Sequence, residues 1–183
     1  MSDSETKKGP RFGGAFSDSP TDKVKQWFDV INGFEYNGHD AIVAKILKLE
    51  SVTYTPSSEN PHDARTVFSF VVPEELCNIG GNLHGGAVAL VFDIATSLTI
   101  LPCAREGFWD GGNVSRNRKC CVVFNCTYVR PAPVGSTIFV ESWVVHLGKR
   151  MGLTMGTMKL GSKDGKVCYT CEHGKASLGG SNM

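Results

Sequence analysis

The chain has 183 residues, which favours a single domain of ordinary size over two small ones. Hydrophobic residues make up 41% and charged residues 20%, so the sequence can build a sizeable core, which argues against global disorder. Because Lys and Arg number 19 against 18 Asp and Glu, the chain has no net field to hold nucleic acid or an anionic membrane. Any anion recognition must therefore be local.

Residues 1–20 are predicted to form a disordered tail. They combine Asp3, Glu5 and Asp18 with several Ser, Gly and Pro residues, and they lack the apolar core of a secretory signal. The acids also argue against a mitochondrial presequence, so we expect an intracellular protein, cytoplasmic, with mitochondria as the alternative. In such a compartment the seven cysteines are reduced thiols.

A helical extension, residues 21–46, is predicted to follow the tail. Val24, Trp27, Phe28 and Ile31 have helical spacing and predict a helix over 21–34, and a second helical pattern covers 40–49. The pattern then changes to short segments rich in β-branched and aromatic residues, bounded by prolines. These predict strands over 51–55 and 66–72.

A glycine-rich loop, 79–86, then opens a long apolar helix. The sequence that follows the loop, AVALVFDIATSLTIL, is hydrophobic nearly all round, which is typical of a helix buried on every side. Asp93 interrupts this apolar run and Pro102 ends it, so we expect no segment that spans a membrane.

Four more strands are predicted, over 120–129, 137–147, 151–160 and 166–178. The turn signals at 148–150 and 164–165 are short enough for hairpins, so the sheet should be antiparallel there. The order of elements predicts an α+β fold of one domain, in which a curved antiparallel sheet wraps one central helix.

Asp93 is the first candidate for chemistry. A carboxylate inside an apolar helix is costly unless it is paired, hydrogen-bonded or protonated, and on its own it fits a subunit seam as well as an active site. Gly85 and Gly86 at the helix start favour the active site. Their amides, reinforced by the helix dipole, suit a carbonyl oxygen that gains negative charge during acyl transfer.

The sequence from Asn78 to Gly86, NIGGNLHGG, followed by Asp93, resembles the signature of hotdog-fold thioesterases of the phenylacetic-acid-pathway type. Its nearest likeness is to the eukaryotic branch of acyl-CoA thioesterase 13, also called thioesterase superfamily member 2. The resemblance covers residues 47–179 and includes 125–128, 130–132 and 148–149. It implies a single hotdog domain that hydrolyses acyl-CoA to free acid and coenzyme A without a cofactor or metal. It also implies a homo-oligomer, either a dimer or a dimer of dimers.

The same resemblance implies roles for individual residues. Asp93 would act as a general base on water or as a nucleophile, and Asn78 would hold the water or the thioester. The amide of Gly85 or Gly86 would polarise the thioester carbonyl across a subunit boundary. His84 would orient the loop.

Further positions follow from the resemblance, with two departures. One is the run 173–179, HGKASLG, where the branch has a basic run that contains histidine. The other is a cysteine on the third of the predicted strands. Cys121, or Cys120 if the strand is shifted by one, stands where the branch has a serine that aligns water, and a thiol is a weaker hydrogen-bond partner. Lys149 and Arg150 at a hairpin tip, with Lys175 in the run 173–179, would bind coenzyme A. The group Arg116, Arg118 and Lys119 is interpreted as ordinary surface charge, and the Cys168–Cys171 pair lacks the second pair that a zinc site needs.

Three alternatives remain open at this level. The protein could be a non-enzymatic hotdog that binds acyl-CoA as a sensor or carrier. A hotdog dehydratase would need a histidine base opposite an acid, which the spacing fits poorly. A nucleophile built from Cys121 and a histidine ranks lower, because no sequence feature places a histidine beside it.

Overall fold

The computed structural model describes residue 17 and residues 19–32, 37–109 and 118–178. The predicted tail lies almost entirely outside the described residues, as do Phe34 and Arg116. Within the described residues, three helices and six strands follow one another, with 3-10 turns at Glu74–Leu76 and Leu101–Cys103. In chain order the elements are α1 Pro20–Asn32, α2 Ala41–Ile46, β1 Lys48–Tyr54, β2 Ala64–Val71, α3 Gly85–Leu98, β3 Arg118–Tyr128, β4 Thr137–Leu147, β5 Met151–Leu160 and β6 Val167–Leu178.

The six strands form one antiparallel sheet in the order β1-β2-β4-β5-β6-β3. β4–β5 and β5–β6 are joined by the tight hairpins that the sequence predicts, closed by Gly148 N–H donating to Met151 O and Leu160 N–H donating to Lys166 O. β3 instead crosses over to pair with β6 and forms one edge of the sheet. The predicted α+β class, with an antiparallel sheet packed on a central helix, is confirmed.

Helix α3 packs its apolar face on the sheet. Val88, Val91 and Phe92 are fully buried, and with the inward side chains of the strands they form the main core. The prediction of a helix buried on every side is wrong in one respect: a strip through Gly86 and Asp93 is open, and the Asp93 side chain is 52% exposed. The two residues are seven apart, which puts them on one helix face two turns from each other.

Glycine lets the helix approach the sheet closely. A Cβ at Gly156 of β5 would lie 3.0 Å from the Phe92 ring and 3.3 Å from Ser142 Oγ, closer than such contacts normally come. The small residue therefore seats Phe92, the largest side chain of the helix, directly on the sheet.

The N-terminal helices cover one end of the sheet. In α1, Val24 is buried, and the Phe28 ring lies 6.2 Å from the Phe68 ring of β2. The second helix is shorter than predicted. It ends at Ile46, because Lys48 already pairs with Ser69 of β2, and this sheet pairing overrides the local helical pattern.

The segment Gly85–Cys103 is, by length and composition, apolar enough to cross a membrane, so Asp93 does not interrupt it as strictly as the sequence suggests. Within the structure 67% of this stretch is buried, which is the pattern of a core helix. All seven cysteines are free thiols.

Candidate active site

The loop before α3 is held by the side chain of Asn78. Its Oδ1 accepts hydrogen bonds from the amides of Gly80 (2.9 Å) and Asn82 (3.3 Å), and Asn82 Nδ2 donates to Gly80 O. Gly81 has φ +71, a conformation that favours glycine. Because Oδ1 is committed to the loop, the Nδ2 group is the part of Asn78 that can serve a ligand.

His84 caps the start of α3. Its Nδ1 accepts a hydrogen bond from the Gly86 amide at 3.0 Å, so Nδ1 is unprotonated and Nε2 carries the proton of the neutral ring. A Cβ at Gly86 would lie 3.2 Å from this nitrogen, so glycine leaves room for the imidazole over the helix start. The position suits the orienting role predicted for His84, and it also means that the Gly86 amide is engaged within the chain.

A surface cleft of about 340 Å³ lies beside this loop. The Tyr128 hydroxyl, at the end of β3, donates to Gly85 O at 2.9 Å and so fixes the first residue of the helix. The sequence singles out Tyr128 only as part of a family segment. The cleft is lined by Asn78, Asn82, Leu83, Gly85, Tyr128, Val129, Arg130, Pro131 and Tyr169.

Two turns along α3, Asp93 faces two side chains of β6. Its Oδ1 lies 3.7 Å from Lys175 Nζ and 3.7 Å from His173 Nε2. Lys175 Nζ also donates to Ser97 Oγ at 2.6 Å, and that hydroxyl donates to the backbone oxygen of Asp93. These contacts place the carboxylate between a cation and an imidazole.

Burial controls the electrostatics of this group. Burial, reinforced by the Lys175 cation and opposed by Asp93, lowers the pKa of His173 from 6.5 to about 4. His173 is therefore neutral at pH 7, and its contact with Asp93 is not an ion pair. Burial also lowers the pKa of Lys175, against the opposing effect of the Asp93 carboxylate.

The proximity of His173 to Asp93 was not predicted from the sequence, although the pattern of residues along β6 indicates it. Cys171, His173 and Lys175 alternate along β6, so they share one face of the strand. A polar pair in a strand otherwise buried against an apolar helix indicates a polar partner on that helix, and Asp93 is the acid of α3.

Cys121 lies on β3 as the cross-strand partner of Lys175, and its side chain is exposed. Cys120 pairs instead with Ala176. Of the two cysteines considered for the serine position, Cys121 is thus the one in register with the neighbour of Asp93.

The three residues expected to bind coenzyme A lie at the β4–β5 tip and on the adjacent strand β6, but they differ in exposure. Lys149 and Arg150 are exposed at the β4–β5 tip, where Arg150 O accepts a hydrogen bond from Ser177 N–H at 2.8 Å. Lys175 is only 10% exposed, and its ammonium is directed at Asp93. Arg118 and Lys119 begin β3 opposite Leu178 and Ser177.

Gly85 and Asp93 are eight residues apart on one helix, so about 12 Å of helix separates them. Within one chain, the helix-start amides and the carboxylate do not surround one carbonyl group. Among the described residues, no group of three or more His, Cys, Asp or Glu could hold a metal ion.

Comparisons with known proteins bear on the family. Residues 80–162 match the family model described as Thioesterase superfamily. The fold is similar to zebra fish thioesterase superfamily member 2, at 23% identity over 85% of this chain and 96% of that chain, with a TM-score of 0.64. It is also similar to the E. coli PaaI protein from the phenylacetic acid degradation operon, at 17% identity over 88% and 98% of the two chains, with a TM-score of 0.61.

A Streptococcus mutans protein solved with bound acetyl CoA is 12% identical over 80% of this chain and 95% of that chain, with a TM-score of 0.56. No curated protein matches the sequence at a significant level. At these identities the structural likeness establishes the fold alone, so the branch stays a prediction. This architecture and these structural likenesses show that the chain has the hotdog fold, and residues 80–162, slightly less than half of the chain, match the Thioesterase superfamily model.

Proposed function

We propose that the chain is an acyl-CoA thioesterase, which hydrolyses an acyl-CoA thioester to the free acid and coenzyme A. The observation that carries this proposal is the Asp93 carboxylate, 52% exposed in the middle of an otherwise apolar helix that begins with Gly85 and Gly86. A charged side chain on an apolar helix does not by itself stabilise the fold. A role toward a ligand therefore explains the presence of Asp93 best. The match of residues 80–162 to the Thioesterase superfamily model supports thioester chemistry.

In this mechanism Asp93 takes a proton from the attacking water while the water oxygen bonds to the thioester carbon. The carbonyl oxygen gains negative charge, which backbone amides at a helix N-terminus stabilise. Because the Gly86 amide donates to His84, we assign the oxyanion contact to the Gly85 amide, with Asn78 Nδ2 as a second donor. Collapse of the adduct expels the thiolate, which takes the proton from Asp93.

We also propose that two copies of the chain complete each site. The separation of about 12 Å between Gly85 and Asp93 on one helix supports this, because the groups must come from different subunits to meet one carbonyl. The edge strand β3 exposes Val122 (52%) and Val123 (49%), which suits pairing with a second copy. A Streptococcus mutans protein of the same fold, solved with acetyl CoA, supports a coenzyme A thioester as the ligand.

The first experiment measures turnover on a panel of acyl-CoAs of increasing chain length. Free coenzyme A is quantified by chromatography, because the seven cysteines would react with a thiol-reactive dye. Asp93→Asn should lower kcat by about 100-fold or more. Glu172→Gln, an exposed acid on β6 beside His173, is the matched control and should keep wild-type turnover. An Asp93→Asn enzyme with full activity would remove the proposed base.

Complementation tests the shared site. Asp93→Asn and Asn78→Ala subunits should each be inactive alone. When they are unfolded together and refolded, half of the dimers are mixed, and each mixed dimer holds one intact site, so about a quarter of the wild-type activity should return. A mixture that stays inactive would place each site within one chain.

Two observations favour the non-enzymatic alternative. The Gly86 amide is already occupied by His84, and Cys121 stands where the branch has a serine. Saturable acyl-CoA binding without turnover at any chain length would support a sensor or carrier. The dehydratase alternative gains nothing from the proximity of His173 to Asp93, because His173 is fully buried and cannot meet a substrate.

A further inference from the structure

The hydrogen bonds of His173 determine where its proton lies. His173 Nδ1 and Thr96 Oγ1 are 2.7 Å apart, and Thr96 Oγ1 also lies 2.6 Å from the backbone oxygen of Phe92. A carbonyl oxygen only accepts, so the single hydroxyl proton of Thr96 goes to Phe92 O. Nδ1 must then donate to Thr96, and the neutral ring has a bare lone pair on Nε2.

That lone pair has no partner in the described part of the chain. His173 Nε2 is buried without a hydrogen bond, and a carboxylate oxygen, Asp93 Oδ1, lies 3.7 Å from it. Two acceptors therefore face each other. A buried acceptor without a donor is costly, and here the cost is removed as soon as the carboxyl group carries a proton.

We propose that His173 is a positioning residue that accepts a hydrogen bond from the protonated form of Asp93. This inference rests on the proposed function, in which Asp93 takes a proton from water. The water O–H bond breaks, the O–C bond to the thioester carbon forms, and the new carboxyl O–H of Asp93 is donated to Nε2. When the C–S bond breaks, that proton passes to the thiolate and Asp93 is a carboxylate again, so His173 gains no proton overall.

The surroundings allow this exchange. Asp93 is half exposed, and a rotation that moves Oδ1 by about 1 Å would bring it within hydrogen-bond distance of Nε2. The ionised carboxylate is attracted to Lys175 Nζ, also 3.7 Å away, whereas the protonated carboxyl has its acceptor in His173. The two partners thus favour opposite protonation states of the same group.

Two substitutions separate this role from packing. Asn at position 173 can place an amide N–H near Nδ1 and keep the bond to Thr96, but it has no atom at Nε2. Gln can place its amide oxygen near Nε2. We expect His173→Asn to lower kcat on the best acyl-CoA by about 10- to 100-fold with KM nearly unchanged. His173→Gln should recover most of the loss.

Unchanged kcat in His173→Asn, or an equal loss in both folded variants, would overturn the inference. A wild-type protein that hydrolyses no acyl-CoA would instead refute the proposed function, so the two failures are distinct. If neither variant folds, nitrogen-15 NMR of the wild-type protein decides. The His173 ring, identified among the five histidines by its long-range couplings and its proximity to the Thr96 methyl group, should show a protonated Nδ1 and a bare Nε2. A protonated Nε2 at neutral pH would overturn the assignment.

Discussion

Acidification should destabilise the fold through His173. Its pKa is about 4 in the folded chain against an ordinary value of 6.5, so between these values the unfolded chain binds more protons. The free energy of unfolding must therefore fall as the pH drops through this window. The contribution of His173 is fully present above pH 6.5 and is lost as the pH approaches 4.

The size of the effect follows from the same two values. Each pKa unit corresponds to about 1.4 kcal/mol, so the full displacement sets an upper limit of about 3 kcal/mol. Asp93 is half exposed and can turn toward a protonated imidazole, which offsets part of the cost of charging the ring. We therefore expect a loss of roughly 2 kcal/mol from His173 between pH 7.5 and pH 4.5.

The assay is urea unfolding at several pH values and one fixed protein concentration, because assembly would otherwise shift the midpoint. Other groups titrate in the same range, so the measured quantity is the difference between the wild type and His173→Gln. The wild type should lose roughly 2 kcal/mol more than this variant as the pH falls. His39→Gln, at an exposed histidine, should follow the wild type. Parallel curves for the wild type and His173→Gln would refute the reasoning.

Three predictions concern the stability of the core, two through packing and one through a buried hydrogen bond, and each is measured by urea unfolding. Gly156→Ala should destabilise by about 1–3 kcal/mol because its methyl group meets the Phe92 ring at 3.0 Å, whereas Gly174→Ala, with its nearest neighbour at 3.4 Å, should cost less than half as much. Phe92→Ala should cost about 3–5 kcal/mol through the cavity left in the core; a loss below 1 kcal/mol would contradict its placement. Tyr169→Phe should cost about 1–3 kcal/mol, since the buried Ala132 amide loses its acceptor at 3.1 Å, and a neutral result would argue against that bond.

The strands were predictable because their periodicity and turn residues agree with the final pairing. The bounds of β4 and β5 match the prediction at both ends, because a short turn fixes each register. The boundary between α2 and β1 was not predictable from the local pattern. Residues 48–49 fit a helix in isolation, and only their pairing with β2 makes them a strand.

The candidate site divides in the same way. The loop from Asn78 to Gly86 is local in sequence, so its position before the start of α3 could be predicted from the sequence alone, and the roles of its residues stay predictions. His173 lies 80 residues from Asp93 along the chain, and only the crossing of β6 under α3 brings them within 3.7 Å. Contacts of this kind depend on strand register and burial, and neither can be predicted from a short stretch of sequence.

The position of α3 in chain order has a consequence for synthesis on the ribosome. The helix precedes β3, β4, β5 and β6, which supply most of the surface that buries it. At about 5–20 residues per second, the roughly 80 residues between the ends of α3 and β6 take about 4–16 s to translate. For that time a segment apolar enough to cross a membrane lacks most of the sheet that covers it. The nascent chain therefore exposes this apolar segment until its last strands emerge, and aggregation competes with folding during that time.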